Sequence, residues 1–237
     1  MAIHGKKYQE AAKLIEAGRL YGPAEAVELA KRASYTNFAG TVEMHLRMGL
    51  DPRHADQQVR GVALLPHGLG KQVRVLVFTS GEGVRAAEEA GADYVGSEDL
   101  IKRIEEGWLD FDIAVATPEV MQRVTRLGRI LGRRGLMPNP RSGTVVQPAD
   151  LARAVRDARK GRVEFRLDRT GIIHVPIGKT SFENPALVEN MAALVDAIQK
   201  AKPSGSRGQY VRSITLAPSM GPGVPLDLPQ ALALTAA

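Results

Sequence analysis

The sequence predicts a mixed fold, with α+β portions at both ends of the chain and an α/β portion between them. Residues alternate strictly between polar and apolar across Thr41–Leu50, which is typical of a strand buried on one face. Between Lys71 and Lys160 the apolar runs are short, continuous and separated by helical patterns, as in a small parallel sheet. Alternation returns after Gly161. These changes of pattern divide the chain into three parts.

Length and composition are those of a globular protein. The chain has 237 residues, of which 44% are hydrophobic and 24% are charged, enough to bury a sizeable core. It has no cysteine, which excludes disulfide scaffolds, thiol catalysis and cysteine zinc sites. No apolar run approaches the roughly 20 residues needed to span a bilayer, and the amino terminus does not resemble a secretory signal. We therefore expect a cytoplasmic protein without a membrane partner.

The first part ends at a cluster of glycine and proline, Pro66–Lys71, which predicts a domain boundary. On the strand before it, Thr41, Glu43 and His45 share the polar face, and that face meets either water or a ligand. The predicted elements are the helices Lys6–Ala17 and Pro23–Ala33 and the strands Thr41–Leu50 and Val59–Leu65.

The middle part alternates short buried strands with helices, and Gly132–Gly143 is rich in glycine, proline and arginine and predicts a loop. Thr117 and Pro118 are typical of a helix start. The predicted strands are Val73–Phe78, Ala92–Val95 and Asp112–Ala116, and the predicted helices are Glu82–Ala90, Glu98–Glu106, one from Thr117 to about Leu131, and Leu151–Lys160.

In the last part, Asp168–Gly171 has the aspartate and glycine of a type I turn, which predicts a hairpin between Val163–Leu167 and Ile172–Ile177. A helix from Asn184 to about Lys200 and a strand over Gln209–Leu216 follow. From Pro218 onwards we expect an irregular, mobile tail.

Charge is distributed unevenly. Glu82–Asp112 contains ten acidic and three basic residues, whereas Gln122–Arg169 contains thirteen basic and four acidic residues. Twelve of those thirteen cations are arginine, whose planar guanidinium suits bidentate phosphate contacts. A solvated basic surface is the simpler explanation, but the arginine content favours a polyanion partner.

An alternative of another class is a nucleotide-binding α/β enzyme or regulator. Gly81–Ala86 matches the G-x-G-x-x-A dinucleotide pattern between a strand and a helix. Glu82, Glu88 and Glu89 would repel a pyrophosphate there, so a tight strand-to-helix turn explains the glycines better. No catalytic motif appears, and the five histidines include no pair at helical ligand spacing. We therefore expect no catalysis, no metal, no cofactor and no small-molecule substrate.

Several short motifs, in their order and spacing from His4 to about Val224, resemble the bacterial large-subunit ribosomal protein one family, the protein of the mobile lateral stalk. Each motif is weak alone, and together they are highly specific. The motifs are Gly68-Leu69-Gly70-Lys71, Gly91-Ala92-Asp93-Tyr94-Val95-Gly96, Phe111-Asp112, Ala116-Thr117-Pro118, Leu127-Gly128-Arg129-Ile130-Leu131-Gly132, Gly135-Leu136-Met137-Pro138-Asn139-Pro140, Gly143-Thr144-Val145 and Ser219-Met220-Gly221-Pro222.

The resemblance implies a discontinuous two-domain protein. An α+β sandwich domain that binds RNA would comprise 1–67 and 160–237, and a Rossmann-like parallel-sheet domain, 68–159, would be inserted into it. It further implies a structural constituent of the large ribosomal subunit that binds stalk ribosomal RNA and is monomeric outside the ribosome. Assistance in releasing deacylated tRNA from the exit site, and repression of translation of its own operon mRNA, are also implied.

The resemblance also implies which residues contact RNA, and His45 joins them because it shares a strand face with Thr41 and Glu43. A hinge is expected at Gly68, Gly70, Lys160 and Gly161, where the pattern changes on both sides of the insert. The sequence departs from the family at Asn37, at 217–219 and at Pro225. The expected RNA-binding residues are Phe38, Thr41, Glu43, His45, Arg166, Asp168, Arg169, Thr170, Ser213, Ser219, Met220 and Gly221.

Overall fold

The computed structural model describes residues 5–234, without the side chains of Glu82 and Arg141. The elements up to residue 116 are α1 (Lys6–Ala12), α2 (Pro23–Ala33), β1 (Thr41–Met48), β2 (Arg60–Leu64), β3 (Val75–Phe78), α3 (Glu82–Glu89), β4 (Tyr94–Gly96), α4 (Glu98–Glu105) and β5 (Ile113–Ala116). The later elements are α5 (Pro118–Val124), α6 (Gly128–Leu131), α7 (Leu151–Arg159), β6 (Arg162–Arg166), β7 (Ile172–Lys179), α8 (Asn184–Lys200), β8 (Val211–Pro218), β9 (Val224–Pro225) and α9 (Leu228–Leu232). Short 3₁₀ turns occur at Ala55–Gln57, Thr125–Leu127, Pro140–Ser142 and Pro148–Asp150.

The described chain forms two compact units. The discontinuous unit contains the residues up to Gly70 together with those from Val163 onwards, and the inserted unit is Lys71–Arg162. The predicted insert, 68–159, begins and ends slightly earlier. Because the discontinuous unit is built from both ends of the chain, the backbone passes between the units twice.

The discontinuous unit contains a four-stranded sheet with the order β7-β1-β8-β9, in which β1 pairs antiparallel with both neighbours. Along β1 every second side chain, from Val42 to Met48, is buried, because successive strand residues point to opposite faces. The buried side chains form one core with those of α2 and α8, among them Val27, Leu187 and Met191. The helices therefore cover one face of the sheet. The strands β2 and β6 form a separate two-stranded sheet.

The inserted unit contains a three-stranded parallel sheet with the order β4-β3-β5. All four residues of β3 are buried, which is why this strand is a continuous apolar run in the sequence. Val75 and Val77 pack with α3 and α7, whereas Leu76 and Phe78 pack with α4 and α5. The predicted combination of α/β and α+β architecture is therefore confirmed.

The predicted hairpin around Asp168–Gly171 is wrong in its pairing. The turn forms, but β6 pairs with β2 and β7 pairs with β1, so the two strands belong to different sheets. Only the bridge between Leu167 and Ile173 joins them within the described chain. A turn motif is local, and it does not specify which strand the following residues will pair with.

Two predicted helices also differ. The first ends at Ala12 rather than Ala17, and the helix expected from Thr117 is interrupted by the 3₁₀ turn Thr125–Leu127. The apolar side chains on one side of the second, Val120, Val124, Leu127 and Leu131, are still buried, because a 3₁₀ turn changes the rotation per residue only locally.

The expectation of a mobile tail is contradicted up to residue 234. Val224 and Ala231 are fully buried in the core of the discontinuous unit, and β9 pairs with β8 at the edge of the sheet. Pro225 lies in the edge strand of this sheet, which is where strands tolerate proline. Tyr21 holds this segment from both ends, since its amide donates to Pro225 and its carbonyl accepts from Asp227. Residues 235–237 lie outside the described residues.

Candidate nucleic-acid interface

The candidate interface is the face of the four-stranded sheet that α2 and α8 leave open. Thr41, Glu43 and His45 alternate with the buried residues of β1 and lie on this face. On the neighbouring strand β8, Thr215 stands opposite His45 and exposed Ser213 stands opposite Arg47. The sequence predicted Thr41, Glu43, His45 and Ser213 as binding residues, and the structure brings them together on one surface.

One end of this face is rich in hydroxyl groups and carries exposed apolar side chains. The Thr41 amide donates to Ser219 Oγ at 2.9 Å, and the Ser219 amide donates to the Thr41 carbonyl at 2.8 Å. Beside them, Phe38 and Met220 are 64% and 48% exposed, respectively. Exposed large apolar side chains next to polar groups suit the stacking of unpaired bases.

Gly221 has a reason to be glycine within the chain. A Cβ at this position would lie 2.6 Å from Pro218 Cγ and 2.8 Å from the Ala33 carbonyl oxygen. The closing loop therefore packs closely against the end of α2, and a larger residue would displace it. The expectation that Gly221 permits close approach of RNA stays a prediction.

The other end of the face carries a chain of titratable groups. His45 Nδ1 lies 2.8 Å from His174 Nδ1, a cross-strand pair between β1 and β7. Glu43 Oε2 lies 4.0 Å from His45 Nε2, and Asp168 Oδ2 lies 3.5 Å from His174 Nε2. The network therefore connects the predicted acid on β1 with the predicted acid in the 168–171 turn.

The surroundings of this network change two of its pKa values. Burial and the charge of His174 lower the pKa of His45, against the opposing effect of Glu43. Partial burial acts to raise the pKa of Asp168, but hydrogen bonds from Thr170, from the turn's amides and from His174 outweigh it and lower the pKa to about 2. The turn is therefore organised around an ionised carboxylate.

Arg166 and Arg169 are exposed near this turn, at the end of β6 and in the turn itself. Neither side chain forms an ion pair with any residue in 5–234. They leave positive charge available to a polyanion beside the acidic network.

The predicted hinge residues are held unequally. Buried Asn190 on α8 accepts from the His67 amide and donates to the Gly68 carbonyl, both at 3.0 Å, which fixes Gly68 to the discontinuous unit. A Cβ on Gly70 would lie 2.7 Å from the Phe182 ring. On the second crossing, Lys160 ends α7 and Gly161 has a φ of 99°, a conformation that favours glycine. The first crossing is therefore held in the discontinuous unit at Gly68 and Gly70, and the hinge itself stays a prediction.

The inserted unit has exposed arginines, Arg126, Arg129, Arg133 and Arg134, that form no ion pair within the described residues.

One glycine of the dinucleotide pattern, Gly83, is explained by packing without a nucleotide. A Cβ on Gly83 would lie 2.3 Å from Thr79 Oγ1 and 3.2 Å from Leu151 Cδ1, so this glycine lets α3 pack closely. The second glycine of the dinucleotide pattern thus has a packing role.

Residues 5–234 contain no group of three or more histidine, aspartate or glutamate side chains placed to hold a metal ion. Nor do they contain a helix with the length and apolar character needed to cross a membrane.

Sequence comparisons relate the chain to ribosomal proteins. The model of the Ribosomal protein L1p/L10e family matches residues 29–222. The chain is 60% identical over 228 residues to Large ribosomal subunit protein uL1 of Dehalococcoides mccartyi, covering 96% of each chain. It is 60% identical over 229 residues to the protein of the same name in Chloroflexus aggregans, covering 96% of this chain and 97% of the relative. The match to that of Thermomicrobium roseum is 57% over 229 residues, covering 96% and 95%. The chain therefore belongs to the ribosomal protein L1p/L10e family.

Proposed function

We propose that this chain, as a constituent of the large ribosomal subunit, binds the stalk region of ribosomal RNA through the open face of its four-stranded sheet. Its family establishes the coarser part of this function: it is a ribosomal protein, bound to the ribosome in the cytoplasm. The same membership confirms the prediction that it is not an enzyme.

One observation carries the proposal of the binding surface. Thr41, Glu43, His45 and Ser213 share a sheet face that no helix within residues 5–234 covers, with exposed Phe38 and Met220 at one end. Hydroxyls and carboxylates can bond ribose 2′-hydroxyls and base edges, and apolar side chains can stack on bases. Such a surface can distinguish one RNA from another, which cations alone cannot do.

The turn at 168–171 belongs to this surface because His174 connects it to His45. The ionised Asp168 accepts from Thr170 Oγ1 and from the Thr170 and Ile172 amides, which holds the turn in one conformation. A preformed turn loses less entropy on binding than a flexible one. Arg169 would then add a phosphate contact from a fixed position.

The same face is proposed to bind the chain's own operon mRNA and so to repress its translation. If one surface serves both RNAs, ribosomal RNA releases the mRNA by competition, and repression begins only when the protein exceeds its ribosomal sites. The family resemblance further supports a role in releasing deacylated tRNA from the exit site. The crossings near Gly70 and Gly161 would allow one unit to turn against the other during that step.

Competition tests the shared surface. The protein is bound to a fluorescent transcript of the stalk RNA, and unlabelled operon leader transcript is added, with an unrelated structured RNA of equal length as the control. We expect the leader to displace the stalk transcript and the control RNA to displace it at least tenfold less well. A complex that holds both RNAs at once would contradict a shared surface, and equal competition by the control would contradict specific binding.

A further inference from the structure

We propose that Lys179 is a specificity-determining residue of the RNA surface, which forms with Thr41 a site for one phosphate of the bound RNA. This inference rests on the proposed function of the open sheet face. Neither the sequence pattern nor the family motifs quoted above point to Lys179.

A β-bulge brings Lys179 to the open face. Along β7, Val175 and Ile177 are buried, so regular alternation would place Lys179 on the covered face with them. Val42 pairs with Gly178 but Glu43 pairs with Pro176, so Ile177 is an extra residue and the alternation shifts by one. Lys179 thereby becomes the partner of Thr41.

Gly178 is the residue that permits this bulge. Its φ is 154°, and a Cβ there would lie 2.7 Å from Leu187 Cδ2, inside the core. The backbone at Gly178 therefore packs directly against α8, and a side chain would push β7 away from the helix. The position of Lys179 is thus built into the packing of the unit.

The ammonium of Lys179 has a hydroxyl as its neighbour and no compensating acid. Its Nζ donates to Thr41 Oγ1 at 2.8 Å, and no carboxylate lies within ion-pair distance in the part of the chain that the structure describes. Lys71 and Lys200, by contrast, are paired with Asp112 and Asp196. A half-buried ammonium without a counter-ion attracts an anionic ligand, because burial makes uncompensated charge costly.

The hydrogen-bond directions specify what the ligand must offer. Since Thr41 Oγ1 accepts from Lys179, its own hydrogen is available to donate outwards, and the ammonium keeps two further hydrogens. This end of the face therefore presents donors, whereas Glu43 and Asp168 present acceptors at the other end. A phosphate oxygen accepts only, so it fits the Thr41–Lys179 pair, as it fits the guanidinium of Arg169, whereas hydroxyl or amino groups fit Glu43 and Asp168.

Substitution of Lys179 tests the proposal in the full chain. Lys179→Met removes the ammonium, whereas Lys179→Gln removes the charge and keeps a donor for Thr41; thermal unfolding verifies that each variant folds. Lys200→Met is the matched control, because it removes the same charge from α8, away from the open face. Affinity for the stalk transcript is measured at several salt concentrations, with an unrelated structured RNA in parallel.

We expect both Lys179 variants to bind the stalk transcript roughly 10- to 100-fold more weakly, as for the loss of a hydrogen bond to a charged group. The slope of log affinity against log salt should decrease in both variants by the amount expected for the loss of about one phosphate contact, and it should remain unchanged in Lys200→Met. Thr41→Val should cost less in the Lys179→Met background than alone, because the two groups share one ligand.

Three results would separate the possibilities. Both Lys179 variants could keep the affinity and the salt slope of the wild-type protein while the wild-type protein still selects the stalk transcript. That result would overturn the role of Lys179 and leave the proposed function intact. Weaker binding with an unchanged slope would overturn the phosphate contact and reduce Lys179 to a support for Thr41. Equal affinity of wild-type protein for both RNAs would instead contradict the proposed function on which the inference rests.

Discussion

The three-stranded parallel sheet and the four-stranded antiparallel sheet of this molecule differ in how many of their faces are covered. In the inserted unit, helices pack on both sides of the parallel sheet, and all four residues of β3 are buried. In the discontinuous unit, helices pack on one side of the antiparallel sheet, and half of β1 remains accessible. An uncovered sheet face is a ready surface for RNA, whereas a sheet covered on both faces offers only its loops and helix surfaces. Recognition should therefore depend on the discontinuous unit, and the inserted unit should contribute charge.

The largest expected effect comes from the covered face of β1. Met44 is fully buried, so Met44→Ala should lower the free energy of unfolding of the discontinuous unit by about 2–5 kcal/mol, through lost burial and a cavity. The chain has one tryptophan, Trp108 in the inserted unit, whose fluorescence reports on that unit separately. Unfolding in urea is followed by Trp108 fluorescence for the inserted unit and by hydrogen exchange for the discontinuous unit. We expect Met44→Ala to lower the urea midpoint of the hydrogen-exchange signal and to leave the fluorescence midpoint unchanged. An equal shift in both signals would mean that the units do not unfold separately.

The next effect concerns the open face of the same strand. Thr41→Val keeps the shape and strand propensity of the residue but removes its hydroxyl, so a group of the bound RNA is left unpaired, at a cost of about 1–3 kcal/mol. The loss should appear as faster dissociation, because an uncharged residue does not affect long-range attraction. Dissociation rates of the stalk transcript at two salt concentrations measure it, once equal thermal stability has been verified. An unchanged dissociation rate would show that Thr41 does not belong to the RNA-binding surface.

Ser219→Ala is a less direct probe of the same surface. Its hydroxyl accepts from the Thr41 amide and lies 3.3 Å from the Thr41 carbonyl, so it already serves the pairing of β1 with the closing loop. Alanine would leave that amide without its partner. Faster dissociation in this variant is therefore informative only alongside Thr41→Val.

The sequence predicted the two faces of β1 because its alternation is local and unbroken. It did not predict Lys179, because the bulge at Ile177 reverses the alternation, and that bulge depends on packing against Leu187. Burial of the tail depends on backbone contacts with Tyr21, about two hundred residues earlier in the chain. Short-range patterns thus predict which face a residue takes, but not the long-range contacts that shift a register or hold a segment.

A smaller effect should follow from pH. The pKa of His45 is lowered in the folded protein, so below about pH 6.5 the unfolded chain binds more protons than the folded one, and stability falls as pH falls. Asp168, with a pKa of about 2 against a usual 3.8, acts in the same direction below about pH 4. Urea unfolding at pH 5, 6 and 7.5 should show that the free energy of unfolding decreases as pH falls. This decrease should be smaller in His45→Gln and the same as in the wild-type protein in the control His54→Gln. A His45→Gln variant with the wild-type pH dependence would contradict this origin.

The smallest expected change is in RNA selectivity when the inserted unit is altered. Replacing Arg126, Arg129, Arg133 and Arg134 together with glutamine should weaken binding to stalk and control RNA by the same factor, because phosphate contacts carry no sequence information. Deletion of 71–159, with a short glycine–serine linker between Gly70 and Lys160, tests the same point more severely. We expect the ratio of the two affinities to change by less than about twofold in either variant, while the salt slope decreases.

The deletion variant also tests whether the covered and uncovered sheets divide the work as proposed. Its fold is verified by circular dichroism and by titration of tyrosine absorbance, because burial in the discontinuous unit raises the pKa of Tyr210 to about 12. A folded fragment that no longer prefers the stalk transcript would show that the inserted unit contributes to selection despite its covered sheet. Retained preference with reduced affinity would assign selection to the discontinuous unit, where the open face of β1 is the surface that we propose to contact base and ribose edges.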